Sequence, residues 1–260
     1  MIKTLHRFFY AWLFLTKLPA PPLPKATKED WGRIAPFFVL IGFIIGGILY
    51  FVAKLLTGSN LPILFSSLLI VLLWVLITGG LHLDGVFDTF DGIGCKEKER
   101  KIEALKDSRI GAFGAMGGIF VILFKIISLC TILLNKLFFV ILLAPVIARL
   151  IVIYSFTFLG SNNKHSLSAN LILSGVKKPF DFFVNLIVFL IIFFAYICLS
   201  DFNFSFMVLV FIFISVFVSL LIAYWLNSHF KGHSGDTYGA IVELSETVVL
   251  VLGMLFKSIY

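Results

Sequence analysis

Seven stretches of this chain are apolar over about the length a helix needs to cross a bilayer, roughly 20 residues, and three of the breaks between them are short and polar. They cover residues 34–56, 61–78, 112–134, 137–158, 180–199, 204–226 and 240–256. The breaks at 57–60, 135–136 and 200–203 read as turns. In hydrocarbon every backbone N–H and C=O must be satisfied within its own segment, so such runs are helices. The last is the weakest, because Glu243 and Glu246 fall in its first turns. Composition agrees: 60% of the residues are hydrophobic, 13% are charged, mean hydropathy is +1.07 and there are 31 Phe. A soluble domain has about 45–50% apolar and about 25% charged residues. The expected fold is therefore all-α: a polytopic membrane helix bundle with about six to seven transmembrane helices, forming one integral membrane domain over 1–260. Residues 8–18, stopped by Pro19, suit a short amphipathic helix lying in the membrane interface. That run lacks a small-residue cleavage site, so a cleaved signal peptide is not expected.

The net charge of +7 carries topology rather than nucleic-acid binding, since the basic residues are not gathered on one face. Residues 1–33 carry Lys3, Arg7, Lys17, Lys25, Lys28 and Arg33, and residues 81–110 carry six more Lys and Arg. With alternating spans these fall on one side, along with Lys164, Lys177, Lys178 and Lys231. Lys54, Lys136 and Lys257 fall on the other. Positive-inside asymmetry then places the N-terminus and the long loops in the cytoplasm, with the protein in the cell (inner) membrane. Cys95, Cys130 and Cys198 are far apart and predict neither a disulfide framework nor a zinc site. No internal repeat is evident, which argues mildly against an inverted-repeat transporter.

Three polar clusters interrupt this apolar pattern. In Leu81-His82-Leu83-Asp84-Gly85-Val86-Phe87-Asp88-Thr89-Phe90-Asp91-Gly92, the carboxylates Asp84, Asp88 and Asp91 stand at i, i+4 and i+7. On a helix they share an arc of about 60°. Like charges this close to a bilayer need a counter-cation, and hard oxygen ligands suit Mg²⁺ or Mn²⁺. A solvated acidic loop capped by Asp84 is the plainer alternative. The second cluster is Lys106-Asp107-Ser108-Arg109-Ile110-Gly111, ahead of a Gly-rich span. Asp107 is a further ligand candidate there and Arg109 a phosphate fork, or they are a cap and a topology signal. The third cluster is His233-Ser234-Gly235-Asp236-Thr237, a polar turn with Asp236 or Thr237 as the cap of the last span, followed by Glu243 and Glu246 on one helix face. Within the spans stand Lys125, which an acid would neutralise, and Arg149, a phosphate candidate. His229 and His233 are separated by Gly232 and make a poor metal pair. His82 has a better claim, by its position beside Asp84.

At these residues the chain resembles the cobalamin synthase family, also called adenosylcobinamide-GDP ribazoletransferase. The likeness lies in Thr78-Gly79-Gly80-Leu81-His82-Leu83-Asp84-Gly85 with Asp88-Thr89 and Asp91-Gly92, and in Lys106-Asp107-Ser108-Arg109-Ile110-Gly111. It continues in Gly235-Asp236-Thr237, Gly239-Ala240 and Glu243-Leu244-Ser245-Glu246, with Phe14-Leu15-Thr16-Lys17-Leu18-Pro19 at the start, and so covers essentially the whole chain. Val86, Phe87 and Phe90 stand where smaller residues are common, and Gly232-His233-Ser234 departs from the usual lead-in; none of these changes removes an acid.

The resemblance implies a magnesium-dependent transferase that joins α-ribazole, or its 5′-phosphate, to adenosylcobinamide-GDP and releases GMP, the last step of nucleotide-loop assembly. On that footing Asp84, Asp88 and Asp91 hold the metal. Asp107, Asp236 and Arg109 are catalytic, completing the coordination, taking the proton from a ribazole hydroxyl or steadying phosphate. Arg149, His82, Thr237, Glu243 and Glu246 contact substrate. The lipid bilayer is the other partner, and a homo-oligomer is compatible with the sequence. Two other classes remain open at this stage. A CDP-alcohol phosphatidyltransferase uses similar chemistry, but its Asp-Gly is followed by Ala-Arg where this chain has Val86-Phe87. A cation-coupled transporter would place its acids near the midplane rather than at the rim.

Overall fold

The computed structural model describes residues 2–95, 109–161, 172, 175–198 and 202–256, with 202–205 as backbone. An amphipathic helix α1 (Ile2–Leu15) leads through a proline-rich segment to the single turn α2 (Lys28–Trp31). A 3₁₀ turn (Ala35–Phe37) opens α3 (Phe38–Thr57), and α4 (Ile63–Thr78) and α5 (Leu81–Gly94) follow. The remaining helices are α6 (Ala112–Leu134), α7 (Phe138–Phe158), α8 (Phe180–Cys198), α9 (Phe202–Phe230) and α10 (Gly235–Phe256). Among the described residues six helices are long and apolar enough to cross a membrane, and the bent pair α4–α5 makes a seventh crossing if counted as one span. This is a multi-pass membrane protein.

The axis of the bundle is α7, most of whose residues are buried. Lipid offers apolar side chains as good a solvent as the core does, so helices in a membrane associate through close packing. On α3, Gly42 and Gly46 lie directly against the backbone of Pro145 and Leu142 on α7; a Cβ at Gly42 would sit 2.6 Å from the Pro145 carbonyl oxygen. On α10, Gly253 lies against Val140 of α7. The outer helices turn their bulk to lipid: Phe183, Ile187, Ile191 and Phe194 on α8 are each more than half exposed along one stripe.

Two polar devices fix the ends of helices. Between the 3₁₀ turn and α3, Asn185 of α8 inserts its carboxamide, accepting from Val39 N at 2.9 Å and donating to Ala35 O at 3.0 Å. It thereby bridges an i to i+4 pair that the tighter turn leaves open, and it ties α8 to α3. At the end of α4, Gly79 and Gly80 both take left-handed backbone (φ 64° and 71°), which only glycine adopts freely. The chain turns through 93° there. Lys17, just past α1, donates its backbone N–H to the Ile77 carbonyl at 2.7 Å, covering the exposed end of α4. As a result α5 leaves the line of α4 and packs across the first turns of α6 and α10, so its aspartates lie outside the six helices long enough to cross a membrane by themselves.

Several sequence boundaries move. The amphipathic segment runs over Ile2–Leu15 rather than 8–18, and the 204–226 span is Phe202–Phe230. The last helix begins at Gly235 rather than 240, because Ser234 and Thr237 cap each other. The Thr237 hydroxyl accepts from Ser234 N at 2.7 Å, and the Ser234 hydroxyl accepts from Thr237 N at 3.3 Å. The cap is thus Ser234, not Asp236 or Thr237, and the pair forms a reciprocal box.

Candidate active site

The acidic motif is a single helix despite Gly85, Gly92 and Gly94, and the glycines are what allow its packing. A Cβ at Gly85 would lie 2.5 Å from the Asp236 carbonyl oxygen and 3.2 Å from Ala240 N. Opposite it, Gly239 lies against the backbone of His82 and Gly85. The first turns of α10 therefore meet α5 backbone to backbone, and Asp236 joins the carboxylates of α5. Asp84 is exposed, while Asp88, Asp91 and Asp236 are half-buried.

Asp91 has a distinct task. Its two oxygens accept from Gly111 N and Gly114 N, each at 2.7 Å, so it caps α6 from a neighbouring helix. The expected trio of Asp84, Asp88 and Asp91 is on one helix face as predicted, but Asp91 is drawn to the α6 terminus and Asp236 faces the other two. Burial first, then the charges of Asp236, Asp84 and Asp91, push the Asp88 carboxyl up to about 7. Among the described residues no three His, Cys, Asp or Glu side chains close into a ready-made ligand set. The donors are nonetheless hard carboxylate oxygens, the chemistry magnesium takes, and their mutual repulsion is what a divalent cation would relieve. Asp107 lies outside the described residues. Arg109 stands just before α6, two residues from the Gly111 amide that Asp91 holds.

The predicted substrate contacts divide. His82 lies on the wall of a cavity of about 230 Å³ that opens beside Asp84 and Asp236. Thr237 is fully buried in its capping role. Glu243, Glu246 and Arg149 lie deeper, inside the bundle rather than at its rim, where the two acids neutralise Lys125 and Arg149. Lys125 Nζ on α6 donates to Glu243 Oε1 at 2.5 Å and to Glu246 Oε2 at 2.9 Å. Arg149 on α7 pairs with Glu246 Oε1. The Lys125 ammonium also sits 4.4 Å from the centre of the Trp74 ring on α4. Lys125 is therefore paired with acids as the sequence suggested, whereas Arg149 holds a protein carboxylate where a phosphate was expected. These four residues carry balanced charge and join α6, α7 and α10, and the Trp74 ring brings in α4. His233 is also buried, packed on Tyr238 with ring centres 5.0 Å apart.

Sequence reasoning missed the aromatic wall of the cavity, formed by Phe14, Phe38, Phe156 and Tyr238 with Val152 and Val242. One signal was present, the Phe14-Leu15-Thr16-Lys17 opening, but among 31 Phe nothing marks the others.

Taken together, the fold and the site define a polytopic helical membrane protein with a carboxylate cluster gathered at one rim. The family model described as Cobalamin-5-phosphate synthase matches residues 7–254, and the chain belongs to that family. Curated relatives named adenosylcobinamide-GDP ribazoletransferase include one from Thermosynechococcus vestitus, 33% identical over 92% of this chain and 91% of that protein. One from Thermoanaerobacter pseudethanolicus is 32% identical over 96% and 97%, and one from Clostridium botulinum is 33% identical over 98% and 100%. No solved structure matches the chain.

Proposed function

We propose that this chain is an adenosylcobinamide-GDP ribazoletransferase, transferring the cobinamide-bearing phosphoryl group to α-ribazole or its 5′-phosphate with release of GMP. The observation that carries this reading is the rim cluster of Asp84, Asp88 and Asp236, set by two helices in backbone contact, in a chain of this family. Family membership leaves the phosphatidyltransferase and transporter readings without support.

In the transfer, a ribose hydroxyl oxygen forms a bond to the phosphorus next to cobinamide. The bond from that phosphorus to the bridging oxygen breaks, and GMP leaves with the electron pair. Magnesium, when bound, would neutralise charge on the diphosphate as GMP departs. Asp84 and Asp88 are the residues that would hold it. Asp236 lies across from them on α10 and is assigned as acceptor of the hydroxyl proton. Asp91 keeps the start of α6, and with it Arg109, in place against α5. The buried cluster of Lys125, Glu243, Glu246 and Arg149 positions α10. The Lys and Arg distribution supports a cytoplasmic orientation of the rim, where soluble substrates would arrive, in the cell membrane.

The test is GMP release by protein reconstituted in lipid with adenosylcobinamide-GDP and α-ribazole, with and without magnesium. Metal-dependent GMP together with the completed corrinoid is expected. Folded protein that forms neither would overturn the assignment.

A further inference from the structure

The cavity beside the carboxylates differs in character from the rim. Its wall carries a run of aromatic rings: Phe14 stacks on Phe38 at 6.2 Å, Phe38 meets Phe156 edge to face at 6.0 Å, and Phe156 meets Tyr238 at 4.4 Å. Val152 and Val242 complete the apolar surface. Two polar groups of lining residues, His82 Nδ1 and Tyr238 Oη, are buried with no hydrogen-bond partner among the described residues. Both residues are at least nine-tenths buried, and a buried polar atom left unpaired is costly. Neither Lys nor Arg is among the described lining residues, and Asp84 and Asp236 stand at its edge. A phosphate is therefore unwelcome inside.

Of the three bases in the proposed reaction, adenine is carried on the corrinoid, whereas guanine and the benzimidazole each lie one ribose away from the reacting groups and so compete for a cavity beside Asp84 and Asp236. Guanine carries donors and acceptors around most of its edge, and in this wall most of them would lose their partners to water. The benzimidazole base of a ribazole nucleoside has a fused, apolar ring and one free ring nitrogen, so only one polar atom of the base would give up water. Its faces suit stacking on Phe and Tyr. Resting on the transferase reading above, we infer that this cavity is the base subsite of the acceptor nucleoside, selecting a flat, largely apolar bicyclic base and excluding guanine. The ribose would then emerge toward Asp84 and Asp236, where the reactive hydroxyl is needed.

Filling the cavity with Val152→Phe tests the assignment, with size-exclusion profile and thermal melting as folding controls. The KM for α-ribazole is expected to rise about tenfold or more, with that for adenosylcobinamide-GDP changed less than about twofold. Phe14→Ala, at the partly exposed end of the ring series, carries the same test if Val152→Phe does not fold. Losing one stacking face should raise the α-ribazole KM about fivefold or more. A rise confined to adenosylcobinamide-GDP would make the cavity a seat for part of that substrate, and no change in either KM in a folded variant would remove it from the site; both overturn the inference. Calorimetric titration of α-ribazole into wild-type protein, without corrinoid or magnesium, separates this idea from the transferase reading. Binding that Val152→Phe abolishes supports the subsite even if no GMP forms, while binding unaffected by the substitution defeats it.

Discussion

Glu246 holds two cations at once, one on each carboxylate oxygen, and its side chain is fully buried. Replacing it with Gln keeps the volume and removes the charge. Arg149 then loses its only described ionic partner while remaining 0% exposed, and Lys125 keeps Glu243 alone. The cluster changes from two positive and two negative charges to a net +1 with no water to screen it. Breaking a buried pair in this way costs about 3–5 kcal/mol. Removing both charges of a pair is a different matter, because the desolvation penalty of the cation disappears with it. The double substitution Glu246→Gln with Arg149→Met restores neutrality around the remaining Lys125–Glu243 pair. It should recover at least about half of the loss, following the general rule that apolar replacement of a buried pair is nearly neutral. The assay is unfolding of the four proteins of this cycle in one detergent, by heat or denaturant. A coupling energy of about 2 kcal/mol or more is expected between the two sites. If Glu246→Gln unfolds like wild type, or if the double variant is no better than the sum of the singles, the cluster is not a structural ion pair and the account of how α10 is positioned is wrong.

Further outcomes follow from the rim. Asp88→Asn should lower turnover about a thousandfold or more without loss of folded protein, whereas Asp236→Asn should lower kcat while leaving the magnesium concentration for half-maximal rate within about threefold. Asp88 titrates near 7 instead of its ordinary 3.8, so between those values the folded, magnesium-free protein holds a proton that the unfolded chain has lost. Its contribution to stability therefore falls as pH rises from about 4 to about 7. Magnesium needs the ionised carboxylate, so its thermal stabilisation should be larger at pH 8 than at pH 6. Asp88→Asn should flatten that difference, and equal stabilisation at both pH values in wild type would count against Asp88 as a ligand. Gly85→Ala forces α5 off α10 by a few tenths of an ångström or more, and should cost about 1–3 kcal/mol along with most of the activity, read by melting and GMP release.

The spans and their order were legible because bilayer length and apolar content act on each segment alone, and the acidic helix because its spacing repeats the helical period. What the sequence could not display is which backbone meets which. Gly85 reads as a helix breaker until Asp236 and Ala240 of α10 are placed against it, and only then does its missing Cβ become the condition for gathering carboxylates from two helices. Asp91 is indistinguishable by spacing from Asp84 and Asp88, yet an amide pair 20 and 23 residues later claims both its oxygens. Arg149 reads as a phosphate ligand because its partner lies 97 residues away. In each case the deciding group is distant in sequence and acts through one close contact.

The same logic explains why an acidic site can exist at this membrane rim at all. Carboxylates that repel one another would splay their helices if the helices were held only by the apolar contacts that lipid also offers. Here α5 is fixed from three directions: the left-handed turn at Gly79 and Gly80 ties it to α4, Asp91 ties it to α6, and Gly85 against Asp236 ties it to α10. Below, α10 is pinned by Glu243 and Glu246 to cations on α6 and α7. The repulsion around Asp88 is therefore held in a scaffold fixed on several sides, and a divalent cation bound there, as the proposed reaction would require, would relieve it.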